Sequence, residues 1–404
     1  MMEAADTAWM LVAIAMVLFM VPGLALFYGG MVRSKNVLNM LMMNMYCLGS
    51  VTIAWVLVGY TIANRGNSGL FGTFEAIGLK DVKSTADLIE VGFLMTFAVI
   101  TPALISGAVA DRMKFSAWVV FVPVWSILVY CPVTYWMYSG WMSQWGVLDF
   151  AGGTTIHINA GIAAFALVLQ LGPRKGWPES PMPPHNLVFV MLGAGMLWFG
   201  WFGFNAGSAF GANEVAARAM LNTFIAGGAG MLGWLLIEQR RDGKPTSLGA
   251  ASGVIAGLAT VTPAAGFVGG LTPILFGFVG GVGCYLAVQL KSKFGYDDSL
   301  DVIGVHMFAG ILGGLLLGLF ADVDAFTSGA GADFQEGGFT GGGFGGGSLF
   351  WDQIVSMLVV LGFSFAMTWF IGKTIDATIG LRVDESAEND GLDTSEHAET
   401  AYNG

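Results

Sequence analysis

The chain of 404 residues is 55% hydrophobic and only 11% charged. A soluble globular chain carries about 25% charged residues, so this composition is that of an integral membrane protein. A net charge of -11 excludes a nucleic-acid binder, which needs a basic face. Cys47, Cys131 and Cys284 are odd in number, far apart and set in apolar runs, which argues against a disulfide framework and against a zinc site.

Eleven apolar runs of about 20 residues, the length that crosses a bilayer, follow one another along the chain. They lie at roughly 8–31, 40–62, 88–110, 115–137, 152–171, 186–207, 214–236, 247–265, 269–290, 302–321 and 350–373. The prediction is an all-α membrane protein of eleven transmembrane helices. The 60 glycines suit helices packed without large side chains between them. The opening MMEAADTAW lacks the basic stretch of a cleaved signal, so the first run is expected to remain as a helix.

Lys and Arg orient the bundle, because the cytoplasmic connections carry them in excess. The odd connections hold Arg33 and Lys35, Arg112 and Lys114, Arg174 and Lys175, then Arg240, Arg241, Lys244, Lys291 and Lys293. Lys373 and Arg382 follow near the end of the chain. The even connections hold only Arg65, Lys80 and Lys83, and Arg218 stands where it can snorkel outward. The N-terminus is therefore predicted outside and the C-terminus inside.

Eleven runs divide into two halves of five, about 8–171 and 186–321, with one extra helix at about 350–373. Five is odd, so the halves must be inverted. The fifth run contains HINAGI from His157 and the tenth contains HMFAGI from His306, the same frame in each half. Ionisable groups inside membrane-length runs are costly and mark an ion or substrate path. Inverted halves place such a site near the bilayer midplane. The stretch 327–348 is glycine-rich and predicted to be a flexible outer loop. Residues 377–404 carry seven acidic side chains and no apolar run. They are expected to form an acidic cytoplasmic tail beyond a transmembrane domain over 1–376, ordered only where it docks.

Candidate chemistry gathers at few residues. A neutral imidazole donates with one nitrogen and accepts with the other, so His157 and His306 in contact can pass a proton. The plainer reading is two buried histidines bonded to backbone carbonyls. Asp149 and Asp301 precede them by eight and five residues, as helix caps or orienting groups or as proton entry points. Phe93 and Phe97 lie one helical turn apart, and Phe204 lies in WFGWFGFNAGS. With Tyr138 and Ser208 these rings suit either packing or a cation-collecting cup. No CxxC, HExxH, carboxylate cluster or Walker-type loop is present, so neither a metal or other cofactor, nor ATP-driven pumping, nor an enzyme is indicated.

These motifs resemble the ammonium transporter family (Amt/MEP, related to the Rhesus glycoproteins) over nearly the whole chain. The similarity runs through PGLALFYGGMVRSKNVLNM, ITPALISGAVADR, LDFAGGTTIHINAG, WFGWFGFNAGSAFGANE, TVTPAAGFVG, DVIGVHMFAGILGG and the tail. The resemblance implies eleven helices assembled as a homotrimer in the plasma membrane, with one pore in each subunit. It implies that His157 and His306 are the twin histidines of that pore and that Phe97 and Phe204 form a stacked gate above them. Phe93 and Ser208 then belong to the outer ammonium-recruiting vestibule, and Asp149 is the aspartate needed for structure and transport. Thr262 and Asp301 match further positions, expected on the cytoplasmic side of the pore. Tyr138 departs from the family, which usually has Trp there. The following loop is about one residue short, and Trp136 or Trp141 is a possible substitute. The implied function is recruitment of NH4+, its deprotonation and conduction of NH3, with the proton carried separately. A neutral NH3 channel and an ammonium sensor of the same fold are the alternatives, and a PII-type regulatory protein is the implied cytoplasmic partner.

Overall fold

A computed structural model describes residues 2–66, 69–321 and 348–402. Eleven helices among them are long and apolar enough to cross a membrane. We number them α1 (Ala4–Met31), α2 (Ser34–Asn64), α3 (Thr85–Val109), α4 (Phe115–Gln144), α5 (Gly153–Leu171) and α6 (Leu187–Gly207). They continue as α7 (Glu214–Asp242), α8 (Ser247–Ala264), α9 (Thr272–Phe294), α10 (Ile303–Phe320) and α11 (Leu349–Thr378). Every predicted run is one of these helices. Several extend past their apolar run, because polar residues continue a helix into water. In α7 the Glu-Gln-Arg-Arg-Asp end is helical until Gly243 turns left-handed at φ 86° and stops it. Among the described residues there is no β-strand, only an isolated bridge between Met113 and Arg382. The glycine-rich stretch 327–348 lies outside the described residues except for Ser348.

Starts are set by caps. Ser84 and Asp87 form a reciprocal capping box at α3. The Asn213 and Thr246 side chains accept from Ala216 and Gly249 at the starts of α7 and α8. Close approach is set by small residues. A Cβ at Gly193 of α6 would lie 2.4 Å from the Phe27 nitrogen of α1, so these helices meet backbone to backbone.

With eleven crossings the termini lie on opposite faces of the bundle, here called the N-face and the C-face. The segment after α11 folds back onto the C-face and ends in two short helices, α12 (Glu385–Asp390) and α13 (Leu392–His397). The expected boundary at residue 376 falls inside α11, which continues to Thr378. The docking is specific. Val383 N–H donates to the Arg112 carbonyl at 3.0 Å, Leu392 N–H to Asn36 Oδ1 at 2.8 Å, and Asn39 N–H to Asp393 at 2.8 Å. Glu388, almost fully buried, accepts from Lys175 N–H and from Arg382. An acidic segment is ordered here because basic loops of the same chain receive it. Beside it, Arg174 pairs with Asp297 at 2.8 Å and with Asp111 at 3.5 Å, all three buried.

Candidate functional site

The two histidine frames become two helix starts. Both α5 and α10 begin with a π-helical turn, Gly153–Ile158 and Ile303–Met307, and each turn carries its histidine. Such turns leave backbone geometry irregular and concentrate at functional sites. Four crossings lie between α5 and α10, so the chain reverses five times from one to the other and they run antiparallel.

Each turn is held by an aspartate eight residues before its histidine. Asp149 accepts from the N–H groups of Gly152, Gly153, Thr154 and Thr155 at 2.6–3.0 Å, and from the Thr155 hydroxyl at 3.0 Å. Asp298 accepts from Val302 and Ile303 N–H at 3.1 and 2.7 Å. Asp298, rather than Asp301, is therefore the structural counterpart of Asp149. The signal was in the sequence, as both halves read Asp, seven residues, His. Asp149 spends its lone pairs on the turn and contacts neither imidazole among the hydrogen bonds described.

The shared glycines explain how the histidines meet. Gly161, four residues after His157, lies where a Cβ would be 2.7 Å from the Met307 nitrogen, next to His306 in the chain. Gly310, four residues after His306, lies where a Cβ would be 2.5 Å from the Gly153 carbonyl oxygen. Each half offers its glycine to the start of the other half. His157 Nδ1 and His306 Nδ1 are thereby brought to 3.2 Å, with the rings 5.2 Å apart and 13° from parallel. One Nδ1 donates to the other, so one ring carries its proton there and the other does not. The buried Nε2 of His157 has no hydrogen-bond partner among the described residues.

Above the pair Phe97 and Phe204 stack at 4.3 Å and 24°. Phe204 lies 6.2 Å from the His157 ring, and Trp201 lies 5.5 Å from it, nearly parallel. Sequence reading missed Trp201, whose indole N–H donates to Thr262 Oγ1 at 2.9 Å. Thr262 also needs correction. It was expected on the C-face side of the pore but sits near the N-face end of α8, beside the start of α5, where Pro263 packs on Gly153.

The histidines line a cavity whose other walls are Met20, Leu24, Phe27, Ile100, Leu104, Ile156, Leu197, Trp201, Phe204 and Ile255. A second cavity shares Phe27, Ile255 and His306 with it and leads to Ser252, Leu300 and Asp301. Asp301 adopts a left-handed φ of 64° and pairs with Lys291 at 2.5 Å. Behind this mouth, burial raises the Asp297 carboxyl and Arg174 more than reverses it, holding it below the usual carboxylate range.

Toward the N-face, Phe93 packs on Phe97 at 4.8 Å but is only 1% exposed, so in this conformation it is wall rather than surface. Ser208 donates its hydroxyl to the Phe204 carbonyl at 2.9 Å, which leaves its oxygen free to accept. Tyr138 is 40% exposed, with its hydroxyl near the Thr155 side chain. Neither tryptophan takes its place. Trp136 bonds the Leu70 carbonyl and packs on Phe363, and Trp141 packs on Trp136 and Trp145.

A profile of the Ammonium Transporter Family matches residues 8–402. The chain belongs to the ammonium transporter family. An ammonium transporter of Mycobacterium tuberculosis is 47% identical over 435 residues, covering 99% of this chain and 90% of that one. One of Bacillus subtilis is 45% identical over 411 residues, covering 99% of each. The crystal structure of Saccharomyces cerevisiae Mep2 superposes with a TM-score of 0.88 at 33% identity, over 95% of this chain and 88% of Mep2. A sensor Amt protein superposes with a TM-score of 0.90 at 23% identity, which shows a shared fold alone. As a member of the ammonium transporter family with eleven apolar helices, the chain is a multi-pass protein of the plasma membrane and a transporter rather than an enzyme.

Proposed function

We propose that this transporter separates NH4+ into a proton and NH3 at the N-face entrance and conducts NH3 past His157 and His306. The observation that carries the reading is the 3.2 Å imidazole pair set in an otherwise apolar cavity beneath two stacked phenylalanines. A bare cation in such a slot is strongly disfavoured, whereas a neutral amine is not. The Ser208 oxygen accepts one N–H of the arriving ion. Potassium, similar in size, has no N–H to give, so directed hydrogen bonds supply part of the selectivity.

The His157–His306 hydrogen bond gives the proton a route of its own, and transport is then electrogenic. Asp149 serves by fixing the turn that carries His157, Thr262 by holding Trp201 against that ring, and Asp301 by receiving substrate at the C-face mouth. The excess of Lys and Arg on the C-face puts that face in the cytoplasm and the N-terminus outside. By family kinship the assembly is a homotrimer and the basic cytoplasmic face receives a PII-type regulator, which a pull-down from nitrogen-replete cells tests.

The reading is tested by ammonium-evoked current in liposomes, with potassium and methylammonium as controls. An ammonium-specific current is expected. Internal alkalinisation without current would instead establish a neutral NH3 channel. Neither signal would favour a sensor of this fold.

A further inference from the structure

We propose that Phe210, held in place by Asp6, is the outermost cation-collecting ring of the entrance and sets the apparent affinity for ammonium; this rests on the transport reading above. Phe210 follows Ser208 by two residues in the turn between α6 and α7, and its ring meets Phe93 edge to face at 5.3 Å. Phe93, Phe97 and Phe204 are buried, whereas Phe210 is 42% exposed. It is thus the open end of an unbroken file of rings. Centroid distances run 5.3 Å to Phe93, 4.8 Å to Phe97, 4.3 Å to Phe204, 6.2 Å to His157 and 5.2 Å to His306.

The backbone here is not at rest. Phe210 has φ 52°, in the left-handed region where a bulky side chain is an outlier. Such strain persists only where the surroundings impose it, and it clusters at functional sites. Two bonds impose it. Phe210 N–H donates to the Gly207 carbonyl at 2.9 Å, and Ala212 N–H donates to Asp6 Oδ1 at 2.8 Å. Asp6, in the first turn of α1, crowds the intervening Gly211, where a Cβ would lie 2.9 Å from the same oxygen. A partly exposed carboxylate bonded two residues along the backbone from an exposed aromatic ring puts negative charge and a ring face at one entrance, and both attract small cations from water. The buried Phe93 cannot do this, and the entrance otherwise offers Tyr138, whose ring face is weaker than that of Trp.

The plain competitor is that Phe210 only covers Phe93, a task leucine performs equally well. Methylammonium uptake by liposomes therefore compares wild type with Phe210→Leu, Phe210→Trp and Phe210→Gly, the last of which relieves the strained φ. The half-saturation concentration is expected to rise about two- to fivefold in the leucine and glycine proteins, by more than the maximal rate changes, and to stay at or below wild type with Trp. A leucine protein that matches wild type overturns the proposal. Should that protein fail to fold, Asp6→Asn keeps the backbone bond and removes the charge. Its half-saturation is expected to rise at low salt and converge with wild type at high salt, and no rise at low salt overturns the proposal. If wild type carries no substrate, the transport reading fails instead. Equilibrium binding of methylammonium to purified wild type and Phe210→Leu then decides the ring's role, with equal affinities counting against it.

Discussion

At the residue scale the site rests on atoms whose partners are few and fixed. Asp298 gives two acceptor contacts to the turn bearing His306, so Asp298→Ala should lower stability by about 1–2 kcal/mol and reduce transport. Asp298→Asn, which keeps an acceptor, should do less harm; thermal unfolding in detergent and uptake by liposomes check both. Tyr138→Trp should lower the half-saturation concentration for ammonium by about two- to fivefold, because an indole face attracts cations better than a phenol face. Uptake titrations measure this, and an unchanged value would mean that Tyr138 lies off the cation's route. The sequence made the histidines and the stacked phenylalanines legible, because an ionisable or aromatic side chain in a repeated apolar frame is conspicuous. It made Asp298 less so, since Asp297, Asp298 and Asp301 stand close together and only the hydrogen bonds tell which of them caps the turn. Phe210 was hidden for another reason. Nothing in SAFGANE signals that a phenylalanine there takes a left-handed φ.

At the element scale the decisive feature is the crossing of two helix starts. The matched Ala-Gly-Ile frames announced a repeat, but the reason for their glycine appears only in three dimensions, where each helix passes over the other's first turn. Gly310→Ala would drive a methyl against the Gly153 carbonyl oxygen. It should cost about 1–3 kcal/mol and lower transport by parting the histidines, while Gly228→Ala, where a Cβ meets open space, should be tolerated. The docked C-terminal segment is a second element whose order the sequence left conditional. Its partners are loops far away in the chain, so no local pattern reveals them. Next to it, Asp297→Asn would leave Arg174 only the longer ion pair to Asp111 and should cost about 1.5–3 kcal/mol. The lowered carboxyl of Asp297 fixes the pH dependence. Its contribution is complete above the unfolded value, about 3.9, and is lost as the pH falls through the lower folded value. The difference in melting temperature between wild type and Asp297→Asn should therefore hold from neutral pH to about 5 and shrink below about 4.

At the scale of the whole molecule, the number of helices was readable because a bilayer demands about 20 apolar residues per crossing and polar loops separate them cleanly. Helix ends were less readable, because capping and left-handed stops, not hydropathy, end a helix in water. Depth along the bundle also needed the structure: Thr262 proved to lie at the N-face end of α8. Under the proposed function, NH4+ gives up its proton at the N-face entrance and the His157–His306 pair keeps proton and ammonia on separate routes from there. The most direct test is the current evoked by ammonium and by potassium in liposomes containing wild type or His157→Ala. The account predicts that wild type passes current with ammonium and none with potassium, and that His157→Ala either loses the ammonium current or admits potassium. A His157→Ala protein that keeps the full ammonium current and still rejects potassium would contradict it.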